Sequence, residues 1–207
     1  MSFLLHLKQF LVQGRCIELF VPDVEEVQAA YKKEAIAFPY WSQVWPAAIA
    51  LSEFLLSHPQ YTHNKKVLEL AGGLGLPSII AARNAVSVIS SDYIPEAVEA
   101  IQRSAKHNGI KNLRALTLDW HSLPQDIVAD VLLLSDINYD PAVFALQQQL
   151  INSFLNKGTI VILSTPQRLV AKEFITPLSS SCIVQEEVAV EKENEQVLIT
   201  VMVLRKG

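Results

Sequence analysis

A glycine-rich turn between an apolar strand and a helix most constrains how this chain can fold. The segment reads VLELAGGLGLP over residues 67–77. Glycines let a backbone approach a ligand closely and adopt dihedral angles that larger residues avoid. The turn therefore predicts a nucleotide- or nucleoside-binding loop, although a tight turn without a ligand can have the same composition.

Strands and helices alternate on both sides of this turn, at the spacing that is typical of βαβ units and a parallel sheet. The pattern predicts core strands at 67–70, 86–90, 113–118, 130–135 and 159–164, and helices at 46–57, 76–84, 95–108, 141–155 and about 169–178. It also predicts strands at 3–11 and 16–21, a short helix at 24–33, and a final hairpin of 183–191 and 196–204 that turns at 192–195.

The spacing of the glycines favours a ligand without phosphates. Asp92 follows the next strand, 17 residues after Gly75, where a carboxylate can accept hydrogen bonds from both ribose hydroxyls. That placement suits dinucleotide enzymes and methyltransferases alike. The dinucleotide pattern G-x-G-x-x-G does not fit, however, because counting from Gly73 puts Ser78 at the third glycine. Pro77 also removes one of the free N–H groups that would bind a phosphate.

Acidic residues collect where the predicted strands end. Asp119 and Trp120 follow the third core strand and could bind an adenine by hydrogen bonding and stacking, although an Asp there could simply cap a turn. We expect a carboxylate-lined pocket, which suits a cationic sulfonium and would repel phosphates. The acidic positions are Glu69, Asp92, Asp119, Asp136 and Asp140.

Composition and charge disfavour other classes of partner. The net charge of -4 gives no basic field for nucleic acid. The sequence has neither a signal peptide nor an apolar run of about 18 residues, so we expect no membrane span and a cytoplasmic protein. Cys16 and Cys182 do not form a metal-ligand spacing with histidines, so we expect no metal.

Three segments together resemble a known family. Residues 69–75 resemble motif I of class I S-adenosylmethionine-dependent methyltransferases, and the final hairpin resembles their sixth and seventh strands. Residues 135–139, SDINY, resemble the D-x-x-Y signature of the seven-strand protein-lysine methyltransferases, which are also called nicotinamide N-methyltransferase-like. Residues 44–48, VWPAA, resemble the tryptophan segment that precedes motif I there. The resemblance runs from about Gln43 to the C-terminus.

The resemblance implies an α/β fold, a Rossmann-like three-layer sandwich. Its mostly parallel seven-stranded sheet would end in an antiparallel hairpin and follow an N-terminal β-hairpin and helix. We expect one methyltransferase domain over residues 1–207, with 1–44 as an N-terminal extension and 45–207 as the Rossmann-like core.

Site roles follow from the same resemblance. Asp92 would bind the ribose, Trp45 would close over the cofactor, and Asp136 and Tyr139 would be the catalytic residues at the acceptor. The full set implied to bind S-adenosyl-L-methionine is Trp45, Glu69, Ala71, Gly72, Gly73, Gly75, Asp92, Tyr93, Asp119, Trp120 and Ser135. Ala71 departs from the family, which usually has glycine there. Because alanine is small, we expect cofactor binding to survive.

The resemblance favours N-methylation of a protein lysine, and a small-molecule amine is the alternative acceptor. An NAD-dependent dehydrogenase or a non-catalytic nucleotide-binding module remains a further alternative, which the glycine spacing disfavours.

Overall fold

The computed structural model describes residues 3–34, 38–124, 126–167, 171–192 and 195–207. The strands are β1 Leu5–Val12, β2 Arg15–Pro22, β3 Lys66–Glu69, β4 Ser87–Asp92, β5 Leu113–Thr117, β6 Val131–Ser135, β7 Ile160–Pro166, β8 Cys182–Lys192 and β9 Glu195–Leu204. The α-helices are α1 Val24–Lys33, α2 Pro46–Ser57, α3 Leu76–Ala81, α4 Pro95–His107, α5 Phe144–Asn156 and α6 Ala171–Ile175.

The main sheet has seven strands in the order β5-β4-β3-β6-β7-β9-β8. The first five strands of that order run parallel, whereas β9 is antiparallel to both β7 and β8. This confirms the predicted Rossmann-like sheet and its closing hairpin. Strands β4 and β5 are added in succession on one side of β3, and β6 then pairs with the other side of β3. Ligands bind in the crevice at such a switch point, outside the carboxyl ends of the strands.

The sheet is buried on both faces because its strands are apolar at successive positions. In β6, Val131 and Leu133 belong to one buried cluster and Leu132 and Leu134 to the other. Helices α2, α3 and α4 contribute to the first cluster and α5 to the second. The three predicted layers are therefore present. None of the described helices is both long enough and apolar enough to cross a membrane.

The N-terminal hairpin of β1 and β2 packs against α4. The backbone N–H of Phe20 donates to the Ser104 hydroxyl at 2.8 Å, and Asn108 Nδ2 donates to the carbonyl oxygen of Glu18 at 2.6 Å. Ile17 and Leu19 are fully buried in the same cluster as the helices of that face. The hairpin and the helices on that face of the sheet therefore share one apolar cluster.

Several element ends differ from the prediction. Helix α3 ends at Ala81, and hydrogen bonds between residues three apart carry the chain on as tight turns through Asn84. The helix predicted from Pro141 begins with a 3-10 turn and becomes α-helical only at Phe144. The last predicted helix is short: α6 is followed by a 3-10 segment, Thr176–Ser181. Its first predicted residues, 169 and 170, and the hairpin turn at 193 and 194 lie outside the described residues.

Candidate active site

A cavity of about 360 Å³ opens beyond the carboxyl ends of β3, β4 and β6. Its size is within the range of small-molecule and cofactor sites. All the residues that the sequence predicted for the site line this cavity, except Glu69. The predicted residues on its walls are Trp45, Ala71, Gly72, Gly73, Gly75, Asp92, Tyr93, Asp119, Trp120, Ser135, Asp136 and Tyr139.

The glycine-rich loop forms the floor of the cavity through left-handed backbone conformations. Ala71, Gly73 and Gly75 have φ of 53°, 56° and 73°. A Cβ atom on Gly75 would lie 2.9 Å from Cγ1 of Ile101, so this position has no room for a side chain. The glycines thus allow the loop to pack against α4, and they also allow a ligand to approach its backbone.

Glu69 does not line the cavity. The prediction that its carboxylate is one of those on the cavity wall is therefore wrong. Its side chain lies beneath the loop, where Oε2 accepts hydrogen bonds from the hydroxyls of Ser78 and Ser90. A Cβ atom on Gly72 would lie 3.0 Å from the same oxygen. Burial raises the pKa of the Glu69 carboxyl to about 7, although the serine hydrogen bonds act in the opposite direction. Glu69 therefore supports the loop from inside the protein.

Asp92 connects the glycine loop to the end of β4. Its Oδ2 accepts from the N–H of Gly73 at 2.9 Å, and its Oδ1 accepts from the N–H of Ile94 at 3.0 Å. The residue is only 4% exposed, and burial raises the pKa of its carboxyl while these backbone hydrogen bonds lower it. Each carboxylate oxygen can accept a second hydrogen bond. Asp92 can therefore accept from two hydroxyls of a ligand in the cavity.

Asp119 caps a turn, as one of the two alternatives had it, and also lies on the cavity wall. Its Oδ1 caps the short turn that follows by accepting from the backbone N–H of His121 at 2.9 Å and lies 2.8 Å from His121 Nδ1. The backbone hydrogen bond from His121, followed by the side-chain one, lowers the pKa of the Asp119 carboxyl. Asp119 and the neighbouring ring of Trp120 both line the cavity, where they can contact a flat heterocycle.

The segment after β6 crosses the other end of the cavity. Asp136 has φ of 51°, and its N–H donates to the carbonyl oxygen of Ser164 at 2.9 Å. This turn directs residues 136–140 along the cavity wall, where Tyr139 is 41% exposed. Burial raises the pKa of the Tyr139 hydroxyl to about 12. The phenol therefore stays neutral at physiological pH and can orient a ligand without acting as a base.

An aromatic segment that precedes α2 supplies wall residues that the sequence analysis missed. Besides the predicted Trp45, the cavity is lined by Tyr31, Tyr40 and Trp41. The indole N–H of Trp45 donates to the carbonyl oxygen of Tyr40 at 2.7 Å, and that of Trp41 donates to the Tyr31 hydroxyl at 3.2 Å. The high density of aromatic residues over 38–45 could have indicated that this segment contributes to a binding site. The extension before residue 45 thus contributes directly to the site.

Two solved methyltransferases have the same fold as this chain. A 16S rRNA N2 G1207 methyltransferase from Thermus thermophilus, solved with AdoMet and guanosine, has a TM-score of 0.67 at 16% identity and covers 100% of this chain and 52% of its own. The N-methyltransferase NodS from Bradyrhizobium japonicum, solved with S-adenosyl-l-homocysteine, has a TM-score of 0.62 at 14% identity and covers 86% and 98%. At these identities the likeness establishes the fold alone.

Related sequences narrow the family. The chain is 34% identical over 132 residues to the electron transfer flavoprotein beta subunit lysine methyltransferase of Mus musculus, which covers 63% of this chain and 51% of that protein. It is also 34% identical over 117 residues to the histone-arginine methyltransferase METTL23 of Xenopus laevis, covering 54% and 50%. The chain thus spans about half the length of these relatives. A lysine methyltransferase family model matches residues 28–181, most of the chain, and the chain belongs to that family.

Proposed function

We propose that the protein transfers a methyl group from S-adenosyl-L-methionine to the side-chain amine of a protein lysine. The observation that carries this proposal is the junction of the glycine loop with Asp92, whose buried carboxylate binds the loop and faces the cavity. A nucleoside with free ribose hydroxyls is the ligand that this junction fits.

The cavity also fits a cofactor with a positive charge and no phosphates. Its described lining contains Asp92, Asp119, Asp136 and Asp140 but neither a lysine nor an arginine. Phosphate groups are usually bound by lysine and arginine side chains or by free N–H groups at a helix N-terminus. Here α3 begins at Leu76 with Pro77 in its first turn, which leaves fewer free N–H groups. This composition supports a sulfonium nucleoside over a dinucleotide.

When bound, S-adenosyl-L-methionine supplies a methyl group on a positively charged sulfur. An amine lone pair forms the new N–C bond, and the electrons of the broken C–S bond remain on sulfur, which becomes neutral. The lysine must first lose a proton, which passes to solvent. The protein's part is to orient the amine and to stabilise the positive charge that develops on nitrogen. We assign these two tasks to Asp136 and to the neutral hydroxyl of Tyr139, both of which line the cavity.

We prefer a protein lysine over an arginine as the acceptor because the family description and the flavoprotein-subunit lysine methyltransferase both name lysine. At the acceptor end, Asp140 uses one oxygen to cap the next turn through the N–H of Ala142 at 3.0 Å, and Asp136 is half-buried three residues before Tyr139.

Calorimetric titration with S-adenosylhomocysteine tests the cofactor, with NADH as the competing ligand. We expect micromolar binding of S-adenosylhomocysteine alone. Asp92→Ala should abolish it, whereas Asp140→Ala, which removes a carboxylate at the other end of the cavity, should not. Binding of NADH instead would refute the proposal. Radiolabelled S-adenosylmethionine in a cell lysate then tests the class of acceptor: label in a protein band supports a protein acceptor, and label only in soluble products refutes it.

A further inference from the structure

Four aromatic side chains form a cluster at the acceptor end of the cavity, and we call this cluster the aromatic mouth. It consists of Phe38, Tyr40, Trp45 and Tyr139. The ring of Tyr40 is central: its centroid lies 4.4 Å from that of Tyr139, 4.9 Å from that of Phe38 and 6.0 Å from that of Trp45. The mouth brings together the segment before α2 and the segment after β6.

Three of these rings are unusually open to solvent, whereas Trp45 is half-buried. Phe38 and Tyr40 are each 43% exposed, and Tyr139 is 41% exposed. Tyr93, at 62%, lines the same cavity, and in the described part of the chain no other aromatic side chain is as exposed as these. Exposed apolar groups that concentrate at one place on a protein mark a binding surface. The rings of the mouth are thus available for a ligand.

A cation of the chain itself already occupies the edge of this mouth. The ammonium nitrogen of Lys192 lies 5.2 Å from the centroid of the Trp45 ring, within the range of a cation–π contact. Lys192 can reach the mouth because the hairpin of β8 and β9 extends past the sheet. Pairing of β9 with β7 ends at Pro166↔Ile199, but its pairing with β8 continues to Lys192↔Glu195. The overhang carries the hairpin about 13 Å beyond the sheet.

We propose that the aromatic mouth is the subsite for the cationic side chain of the acceptor, and that Lys192 competes with the acceptor for the face of Trp45. This inference rests on the proposed function, because it names how the acceptor of that reaction is recognised. The occupant is a lysine-like alkylammonium group that extends from a protein surface.

The chemistry of methyl transfer gives such a subsite a purpose. Positive charge appears on the acceptor nitrogen as the N–C bond forms, and an aromatic face attracts such a charge through its negative quadrupole. The methylated product keeps its cationic character and loses N–H donors, so rings bind it better than hydrogen-bond acceptors do. Lys192 resembles the acceptor in chemistry but is tethered to the hairpin, and the acceptor must displace it from Trp45.

Tryptophan-indole NMR tests this without a known acceptor. The protein is labelled with 15N-tryptophan and saturated with S-adenosylhomocysteine, and its three tryptophans give separate indole signals. The probe is Nα-acetyl-Nε-trimethyllysine amide, and the control ligand is its isostere with carbon in place of the quaternary nitrogen. Titrations in about 0.5 M NaCl screen long-range charge repulsion. We expect the cation, but not its isostere, to shift the Trp45 signal, which Trp45→Phe identifies.

Variants then separate the two parts of the proposal. Lys192→Met should bind the cationic probe about three-fold more tightly, and Tyr40→Leu about five-fold more weakly, as expected when a contact of this kind is gained or lost. Lys192→Arg should bind like the unmodified protein because arginine also stacks on tryptophan. Lys157→Met is the matched control: Lys157 lies 5.7 Å over the Phe154 ring, and neither residue lines the cavity.

Two results would overturn the inference. Equal binding of the cation and its isostere would refute cationic recognition, and unchanged affinity in Lys192→Met would refute the competition. Failure of S-adenosylhomocysteine to saturate the protein would instead refute the proposed function, so the two failures are distinguishable. Retained S-adenosylhomocysteine affinity in Tyr40→Leu shows that a loss of probe binding does not come from misfolding.

Discussion

The two ends of the cavity are built in different ways. At the cofactor end, the floor is the backbone of the glycine-rich loop beside one buried carboxylate: Asp92 is 4% exposed, and no side chain fits at Gly75 beside Ile101. At the acceptor end, the walls are side chains that stand in solvent, such as Tyr40 and Tyr139. The cofactor end is thus continuous with the buried core, whereas the acceptor end lies on the surface of that core. Substitutions in the packed part of the cofactor end should therefore change stability strongly, whereas those at the acceptor end should change stability little and recognition more.

The largest effect on stability is expected for Gly75→Ala. The new methyl group would meet Ile101 at 2.9 Å on a backbone with φ of 73°. Left-handed strain and overpacking together should destabilise the protein by about 3 kcal/mol in chemical denaturation. Gly109→Ala is the matched control, since its φ is 68° and nothing lies within 4 Å of the added Cβ. Equal losses in the two variants would show that the loop does not depend on its packing against α4.

A pH effect of similar size is expected from Glu69 beneath the loop. Its pKa rises from an ordinary value of 4.5 to about 7 on folding, chiefly through burial. Between these values the folded protein keeps a proton that the unfolded chain has lost. The contribution of this group to stability is therefore fully present below pH 4.5 and is lost as the pH rises through 7, a change of about 3 kcal/mol.

Glu69→Gln should remove this fall because glutamine is neutral throughout. Denaturation of the two proteins between pH 5 and pH 8 measures the difference, with Glu99→Gln as the control for loss of a carboxylate on the surface of α4, where the side chain of Glu99 is 59% exposed. If the Glu69→Gln variant loses stability with pH as steeply as the parent protein, the buried carboxyl is not the cause.

The sequence predicted the cofactor end well because that end is local. The glycines lie in one turn, Asp92 ends the next strand, and hydrophobic periodicity fixed the intervening elements. The orientation of Glu69 could not be predicted in the same way. Residues in a strand alternate between faces, but which partners a side chain meets depends on packing. Here Ser78 and Ser90 come from α3 and β4 and enclose the carboxyl.

The acceptor end was predicted only in part, for the opposite reason. Its rings meet across long distances in the chain: Tyr40 contacts Tyr139, and Trp45 contacts Lys192. The motifs identified Trp45 and Tyr139 separately. Nothing in a single sequence pairs residue 40 with residue 139, because the contact depends on how the segment before α2 folds over the finished sheet.

A smaller effect is expected when the aromatic mouth is truncated. Tyr40→Ala removes a ring that is 43% exposed, so the free energy of unfolding should fall by only about 1 kcal/mol. Its neighbour Trp41 is 4% exposed, and Trp41→Ala should cost about 3 kcal/mol. Chemical denaturation of both variants measures the contrast. A loss in Tyr40→Ala as large as that in Trp41→Ala would mean that the mouth belongs to the core, and the division between the two ends would fail.

The smallest effect is expected for Ala71→Gly, in the glycine-rich loop. Ala71 has φ of 53°, a conformation that costs alanine more than glycine. Part of the relief is offset by the greater freedom of glycine in the unfolded chain, which leaves a gain of about 0.5 kcal/mol. Thermal denaturation measures this gain, and Asn64→Gly, with φ of 57°, is the control in which asparagine already tolerates the conformation.

The affinity of Ala71→Gly for S-adenosylhomocysteine should change by less than about two-fold, because the loop keeps its path. A large gain in affinity would instead mean that the methyl group of Ala71 projects into the space that the cofactor occupies. Alanine at this position would then weaken cofactor binding.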